Sequence, residues 1–169
     1  MIETKFGDML SVTEGILVHG CNCHGIMGSG IARLVRQKWP DVFQAYRSRH
    51  IQSGLQLGDV IFVGSSQAST VITQKYLHVT TAQLPASLVI ANAMTQFACG
   101  SDKSVVYVDY DAVFAVFARI SLLARDSGLT VNFPLIGCGL ANGKWEQVSA
   151  AIEAAMTPGA KLVLWKLPA

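Results

Sequence analysis

The run Val18-His-Gly-Cys-Asn-Cys-His-Gly-Ile-Met-Gly-Ser-Gly-Ile-Ala32 constrains the fold more than any other stretch. It leaves an apolar strand (Ile16, Leu17, Val18), crosses a loop holding Gly20, Gly25, Gly28 and Gly30, and enters a helix. Such a loop lets backbone approach a ligand closely and turn successive N–H groups inward, the geometry an anion needs. The following helix adds the positive end of its dipole and unpaired N–H groups. His19 and Asn22 stand at the strand end, where side chains are handed to a ligand.

A second unit repeats the arrangement. Phe133-Pro-Leu-Ile-Gly-Cys-Gly-Leu140 runs from a β-type segment into a glycine turn, and a helix follows near Lys144-Trp145-Glu146. Two such units can place backbone cradles on either side of one diphosphate. Neither carries the Gly-Lys-Ser/Thr of a nucleoside triphosphatase loop, and Gly25-x-x-Gly28-x-Gly30 reverses the dinucleotide spacing.

Strands are predicted at Ile2–Phe6, Leu17–His19, Val60–Val63, Leu88–Ala91, Thr130–Phe133 and Leu162–Trp165, all short apolar runs set off by turn residues. Helices are predicted at Gly30–Lys38, Asp41–Ile51, Asp111–Asp126 and Lys144–Met156. In the third, Val113, Phe117, Ile120 and Ala124 recur on one face and Gly128 stops it. This alternation gives an α/β protein: a three-layer α/β/α sandwich around a mixed central sheet. Ser65 to Ala86 reads as a hairpin or extended insertion, or equally as a surface loop, with His78 incidental.

Hydrophobic residues make up 51% of the 169 and charged ones 14%, which suits one buried-core domain over residues 1–169. A net charge of +2 argues by itself for neither nucleic acid nor membrane. No stretch reaches the roughly 20 apolar residues of a membrane span. Met1-Ile-Glu-Thr-Lys5 lacks signal-peptide order, so a cytoplasmic protein is expected. Cys21, Cys23 and His24 offer three soft ligands in four residues, but no second pair follows at zinc spacing, so loop packing is expected and no metal.

Four segments together resemble the macro domain family, which binds ADP-ribose: Lys5-Phe-Gly-Asp-Met-Leu10, the His19 to Ala32 loop, Ile136-Gly-Cys-Gly-Leu140 and Trp145-Glu-Gln-Val148. They stand in family order and spacing across nearly the whole chain. The similarity is greatest to the branch holding yeast ADP-ribose-1″-phosphatase, the terminal ADP-ribose protein glycohydrolase, and bacterial and phage members.

The resemblance implies roles by position. Asp8, beside Met9, would accept from the adenine amino group, although an aspartate there is also a good turn or N-cap residue. Gly20, Gly28, Ser29, Gly30 and Ile31 would line one side of the diphosphate, and Ile136, Gly137, Cys138, Gly139 and Leu140 the other. Asn22 would bond the distal ribose and serve catalysis. His19 matches a histidine associated with catalysis in the phosphatase and would protonate a leaving oxygen, orient water or attack phosphorus. His24 is the second candidate.

Two family positions are changed. Where the glycohydrolase branch has a catalytic lysine and aspartate, this chain has Gln96 and Ala141. Neither can form a Schiff base or carry a proton. Lys103 lies too far along to substitute, and Asp109 or Asp111 is left as a helper. The implied activity is therefore hydrolysis of ADP-ribose-1″-phosphate, without cofactor. The alternatives are a non-catalytic reader of ADP-ribose or an NAD-derived signal, and an ADP-ribosyl hydrolase lacking the lysine–aspartate pair.

Trp39, Phe43 and Tyr46 recur at helical spacing and read as core. Trp145 reads as packing beneath the second loop. Arg33, Arg36, Lys38, Arg47 and Arg49 read as a solvated basic face, with nucleic acid an unlikely partner.

Overall fold

A computed structural model describes residues 2–73 and 79–169. His78 lies outside them. Seven strands form one sheet: β1 (Ile2–Phe6), β2 (Glu14–Asn22), β3 (Val60–Gly64), β4 (Thr80–Thr81), β5 (Ser87–Gln96), β6 (Val131–Phe133) and β7 (Leu162–Lys166). Their order is β1-β7-β6-β2-β5-β3-β4. The first five in that order are parallel, and β3 meets β5 antiparallel, so the sheet is mixed.

The helices are α1 (Gly30–Lys38), α2 (Pro40–Ser53), α3 (Ser66–Thr73), α4 (Tyr110–Ser127) and α5 (Trp145–Ala155). The predicted three-layer sandwich is present. Strand β2 shows why: its apolar run alternates between layers, Ile16 and Val18 packing with α4 and α5, Leu17 with α1 and α2. A strand covered on both faces reads as continuously hydrophobic rather than alternating. Helix α4 is fixed at both ends, Asp109 Oδ1 accepting the Ala112 N–H at 2.7 Å and Gly128 taking φ 73° after it. Its stripe (Val113, Val116, Phe117, Ile120) is fully buried against the sheet.

The hairpin reading of Ser65 to Ala86 is corrected. The segment opens with helix α3, nucleated by Ser65 Oγ accepting from the Ala68 N–H at 3.0 Å, and β4 then runs parallel to β3. A parallel neighbour requires a crossover, which α3 supplies.

Strands β2 and β5 also exceed their predicted spans, pairing in register from Glu14↔Ser87 to Cys21↔Met94. Since β1, β2, β5, β6 and β7 are parallel, the loops after them emerge at one edge of the sheet. No helix among the described residues is long and apolar enough to cross a membrane.

Candidate active site

Three loops at that edge build the site: 23–29 after β2, 97–109 after β5, and 134–144 after β6. Backbone bonds stitch them together. The Cys23 N–H donates to the Phe97 carbonyl at 2.9 Å, and the Tyr107 N–H to the Ala141 carbonyl at 2.9 Å. Asn142, the non-glycine residue with positive φ (57°) among the described residues, donates through Nδ2 to the Asp102 and Val105 carbonyls. Asn tolerates that backbone better than most residues.

The two glycine loops meet. A methyl placed on Gly30 would lie 3.6 Å from Leu140 Cδ1, so the start of α1 faces the second loop directly. Gly20 lets β2 pack closely against the second loop, since a methyl on it would lie 2.8 Å from Thr95 Oγ1 and 3.1 Å from Ile136 Cγ1. Gly28, Ser29 and Gly30 are exposed, and the Ser29 side chain does not cap α1. The first N–H groups of that helix are thereby left for an anion. On the opposite side Ile136 is buried, Gly137 and Cys138 half-buried, and Gly139 and Leu140 exposed. Ile31 is half-buried between the loop and the Leu17 layer.

Asn22 organises the first loop. Its Oδ1 accepts the His24 N–H at 2.9 Å and the Ile26 N–H at 3.3 Å, while Nδ2 donates to the Ile26 carbonyl at 2.7 Å. The Tyr46 hydroxyl, from α2, sits 2.7 Å from the Asn22 carbonyl and 3.0 Å from the Ile26 nitrogen, clamping the loop to the helix. One amide hydrogen of Asn22 is left for a ligand. Tyr46 was read from sequence only as core; its burial agrees, but its hydroxyl has this second task.

Asp8 is exposed and caps the short turn Met9–Ser11, Oδ1 accepting the Leu10 N–H at 2.9 Å. The capping reading holds, and the second carboxylate oxygen stays available. Met9 is buried against Leu17 and Trp39 rather than displayed.

The expectation for His19 needs correction. On β2 it points into the α1–α2 layer and is fully buried, with Nε2 donating to Asn92 Oδ1 at 2.6 Å. Asn92 in turn donates to the Val42 carbonyl at 3.3 Å. Burial lowers the imidazole pKa from 6.5 to about 4, against a smaller rise from the Asn92 bond. A neutral, enclosed ring of this kind joins β2, β5 and α2 and has no path to a ligand.

It also makes stability pH-dependent. Because the folded pKa lies below the ordinary one, the unfolded chain binds the extra proton between about pH 6.5 and 4. Full stability is present above the upper value and falls as pH drops towards the lower one, by about 3 kcal/mol. Denaturant midpoints between pH 7 and 4 measure this, and His19→Gln should remove most of the slope.

His24 differs in lying on the first loop rather than in the sheet. It is exposed and meets Phe97 edge-to-face at 5.1 Å. Sequence reasoning missed Phe97, an exposed aromatic whose only signal was its place at the end of a long apolar strand.

The changed family positions are both occupied structurally. Gln96 Nε2 donates to the Ala98 carbonyl at 2.8 Å, and Ala141 is buried with its carbonyl taking the Tyr107 and Val108 N–H groups. Asp109 is the α4 cap, and Asp111 is exposed on the first turn of that helix. Trp145 is half-buried against the α4–α5 core.

Burial raises both first-loop thiols, Cys23 to about 11 and Cys21 further. They stay protonated and pack with Met27, Tyr46 and Met94. No group of three His, Cys, Asp or Glu among the described residues could hold a metal ion. A separate open depression of about 710 Å³, lined by Asp41, Ser65, Gln83 and Pro85 among others, lies at the other end of the sheet and contains none of the predicted site residues.

Residues 18–152 match the macro domain family. ADP-ribose 1″-phosphate phosphatase of Scheffersomyces stipitis is 26% identical over 90% of this chain and 94% of its own length. DNA ADP-ribosyl glycohydrolase of Mycobacterium tuberculosis is 25% identical over 92% of this chain but only 38% of that protein. Among solved structures, a Bacteroides thetaiotaomicron protein of unknown function superimposes with TM-score 0.78 at 25% identity, covering 99% of this chain and 98% of that one. The macrodomain of Mycobacterium tuberculosis DarG gives 0.72 at 23% identity, covering 100% and 99%.

Proposed function

This chain belongs to the macro domain family, and from that premise we propose that it binds ADP-ribose and hydrolyses the terminal phosphate of ADP-ribose-1″-phosphate. The observation that carries the reading is the meeting of the two glycine loops, with the uncapped start of α1 between them. That arrangement suits a diphosphate, held by backbone N–H groups without a cation. The fungal phosphatase, similar over almost its full length, supports the phosphomonoester as the bond acted on.

In this reading the second oxygen of Asp8 takes the adenine amino group, and Gly28 to Ile31 and Ile136 to Leu140 enclose the diphosphate. The spare Asn22 N–H meets the distal ribose. Water attacks phosphorus, the bond from phosphorus to the ribose 1″ oxygen breaks, and His24 delivers the proton that this oxygen needs. His24 takes the part that His19 cannot, since general acid catalysis requires reach to the leaving atom before it requires a suitable pKa. Cytoplasmic location is part of the proposal.

The second reading is a non-catalytic reader of ADP-ribose, favoured by the engagement of Gln96 and Ala141 in purely structural bonds. Incubation with ADP-ribose-1″-phosphate, following inorganic phosphate, separates the two. Release with ADP-ribose as co-product is expected. Tight ADP-ribose binding without release would establish the reader, and release from an ADP-ribosylated macromolecule instead would make it a glycohydrolase by another route.

A further inference from the structure

We propose that the exposed face shared by α1 and α2 is a docking surface for single-stranded nucleic acid that adjoins the first loop of the cleft. These helices carry Arg33, Arg36, Lys38, Arg47 and Arg49 against one carboxylate, Asp41. Their net charge of four exceeds the +2 of the whole chain, so the remainder of the molecule is net negative. The ion pairs among the described residues are Lys5–Glu3 and Arg125–Asp126, both elsewhere. Asp41, in the first turn of α2, lies beside the Gln83 N–H at 3.5 Å. Five cations thus share two adjoining helices without a carboxylate partner among the described residues.

Their placement makes a path rather than a scatter. The Arg36 guanidinium lies 4.3 Å over the Phe43 ring, bridging α1 to α2. Arg33 is one turn before Arg36, and Arg47 one turn after Phe43, so each is a surface neighbour of that bridge. Arg47 Nη1 reaches the Gly25 carbonyl at 3.4 Å, bringing the path onto the first loop. Gly25 adjoins His24 in the chain, whose ring packs edge-to-face on Phe97, itself 58% exposed. Lys38 is turned the other way, donating to the Leu10 carbonyl.

Two features select nucleic acid over an acidic protein segment. Four of the five cations are arginines, whose planar fork matches phosphate oxygens. The path also ends at an exposed aromatic pair, on which a base can stack and an acidic side chain cannot. In sequence these charges read as a solvated face; folding sets three of them, Arg33, Arg36 and Arg47, along one line that leads to the first loop.

Fluorescence anisotropy of a labelled oligodeoxythymidylate across salt tests this without ADP-ribose, so the outcome is independent of the cleft reading. Three phosphate contacts (Arg33, Arg36 and Arg47) predict a log–log salt slope of about −2. Arg33→Gln/Arg36→Gln should weaken binding about tenfold and cut the slope to about −0.7, with a melting temperature lowered only slightly by loss of the Arg36–Phe43 contact. Phe97→Ala should weaken binding at least fivefold and leave the slope alone. Absence of binding at low salt, or full retention by the double variant, would overturn the proposal. Displacement by polyglutamate as effective as by unlabelled oligonucleotide would also overturn it, assigning the face to an acidic protein.

Discussion

Gly137→Ala is expected to abolish ADP-ribose binding and to lower stability by about 2–4 kcal/mol. Gly137 holds φ 73°, a backbone conformation that costs any residue with a Cβ. The added carbon would also lie 2.6 Å from Val108 Cγ2 and 3.1 Å from Val108 Cβ. Val108 cannot give way easily, since it is buried and its N–H is tied to the Ala141 carbonyl. The Gly137 carbonyl meanwhile accepts the Gly143 N–H at 2.8 Å, so displacing residue 137 displaces the whole second loop. Gly28→Ala is the control: its nearest neighbour to a new methyl is Ile26 Cγ2 at 3.7 Å, and φ is not positive. It should change stability by less than about 0.5 kcal/mol. Urea denaturation of the two variants reads the contrast directly.

The two histidines of the first segment should separate completely when each is replaced by alanine. His24→Ala should lower phosphate release about 100- to 10,000-fold while leaving stability within about 0.5 kcal/mol, because the ring is exposed and its loss leaves no buried group unpaired. His19→Ala should do the reverse. It empties a fully buried site and strands the Asn92 amide oxygen, at a cost of about 2–4 kcal/mol, while the folded fraction keeps its turnover. Turnover per folded molecule, with the folded fraction taken from denaturant curves, distinguishes the roles. Equal loss of turnover in both variants would return His19 to the chemistry.

Local signals made most elements legible. Helix α1 spans the expected Gly30–Lys38, because a glycine loop marks its start and Pro40 its limit. Helix α4 shifts by only one residue at each end, its cap and stop both being visible. The failures have physical reasons. Strands β2 and β5 continue through Gly20, Asn22 and Asn92, residues that ordinarily mark turns; here long-range pairing overrides local preference. Strand β4 is two residues long and exists only through its pairing with β3, which no local pattern encodes. The Ser65 cap of α3 was present in the sequence but lay within a stretch lacking a clear apolar period.

The site divides in the same way. Both glycine loops announced themselves, because positive φ and close backbone approach demand that residue. The direction of His19 was also available in principle. Strand residues alternate faces, and Leu17, His19 and Cys21 share the one that α2 covers. What the sequence could not supply was Asn92, 73 positions away, which makes burial of the ring tolerable. The clamp made by the Tyr46 hydroxyl and the ring of Phe97 were not legible for a related reason: their spacing marks a helix face and a strand end, and neither reveals a hydroxyl clamp or an exposed ring.

Isothermal titration of the wild-type protein with ADP-ribose tests the central claim most directly, that two glycine loops enclose one diphosphate. One site per chain is predicted, with binding lost in Gly137→Ala. Absence of binding by a folded wild-type protein, or wild-type affinity in Gly137→Ala, would contradict the account.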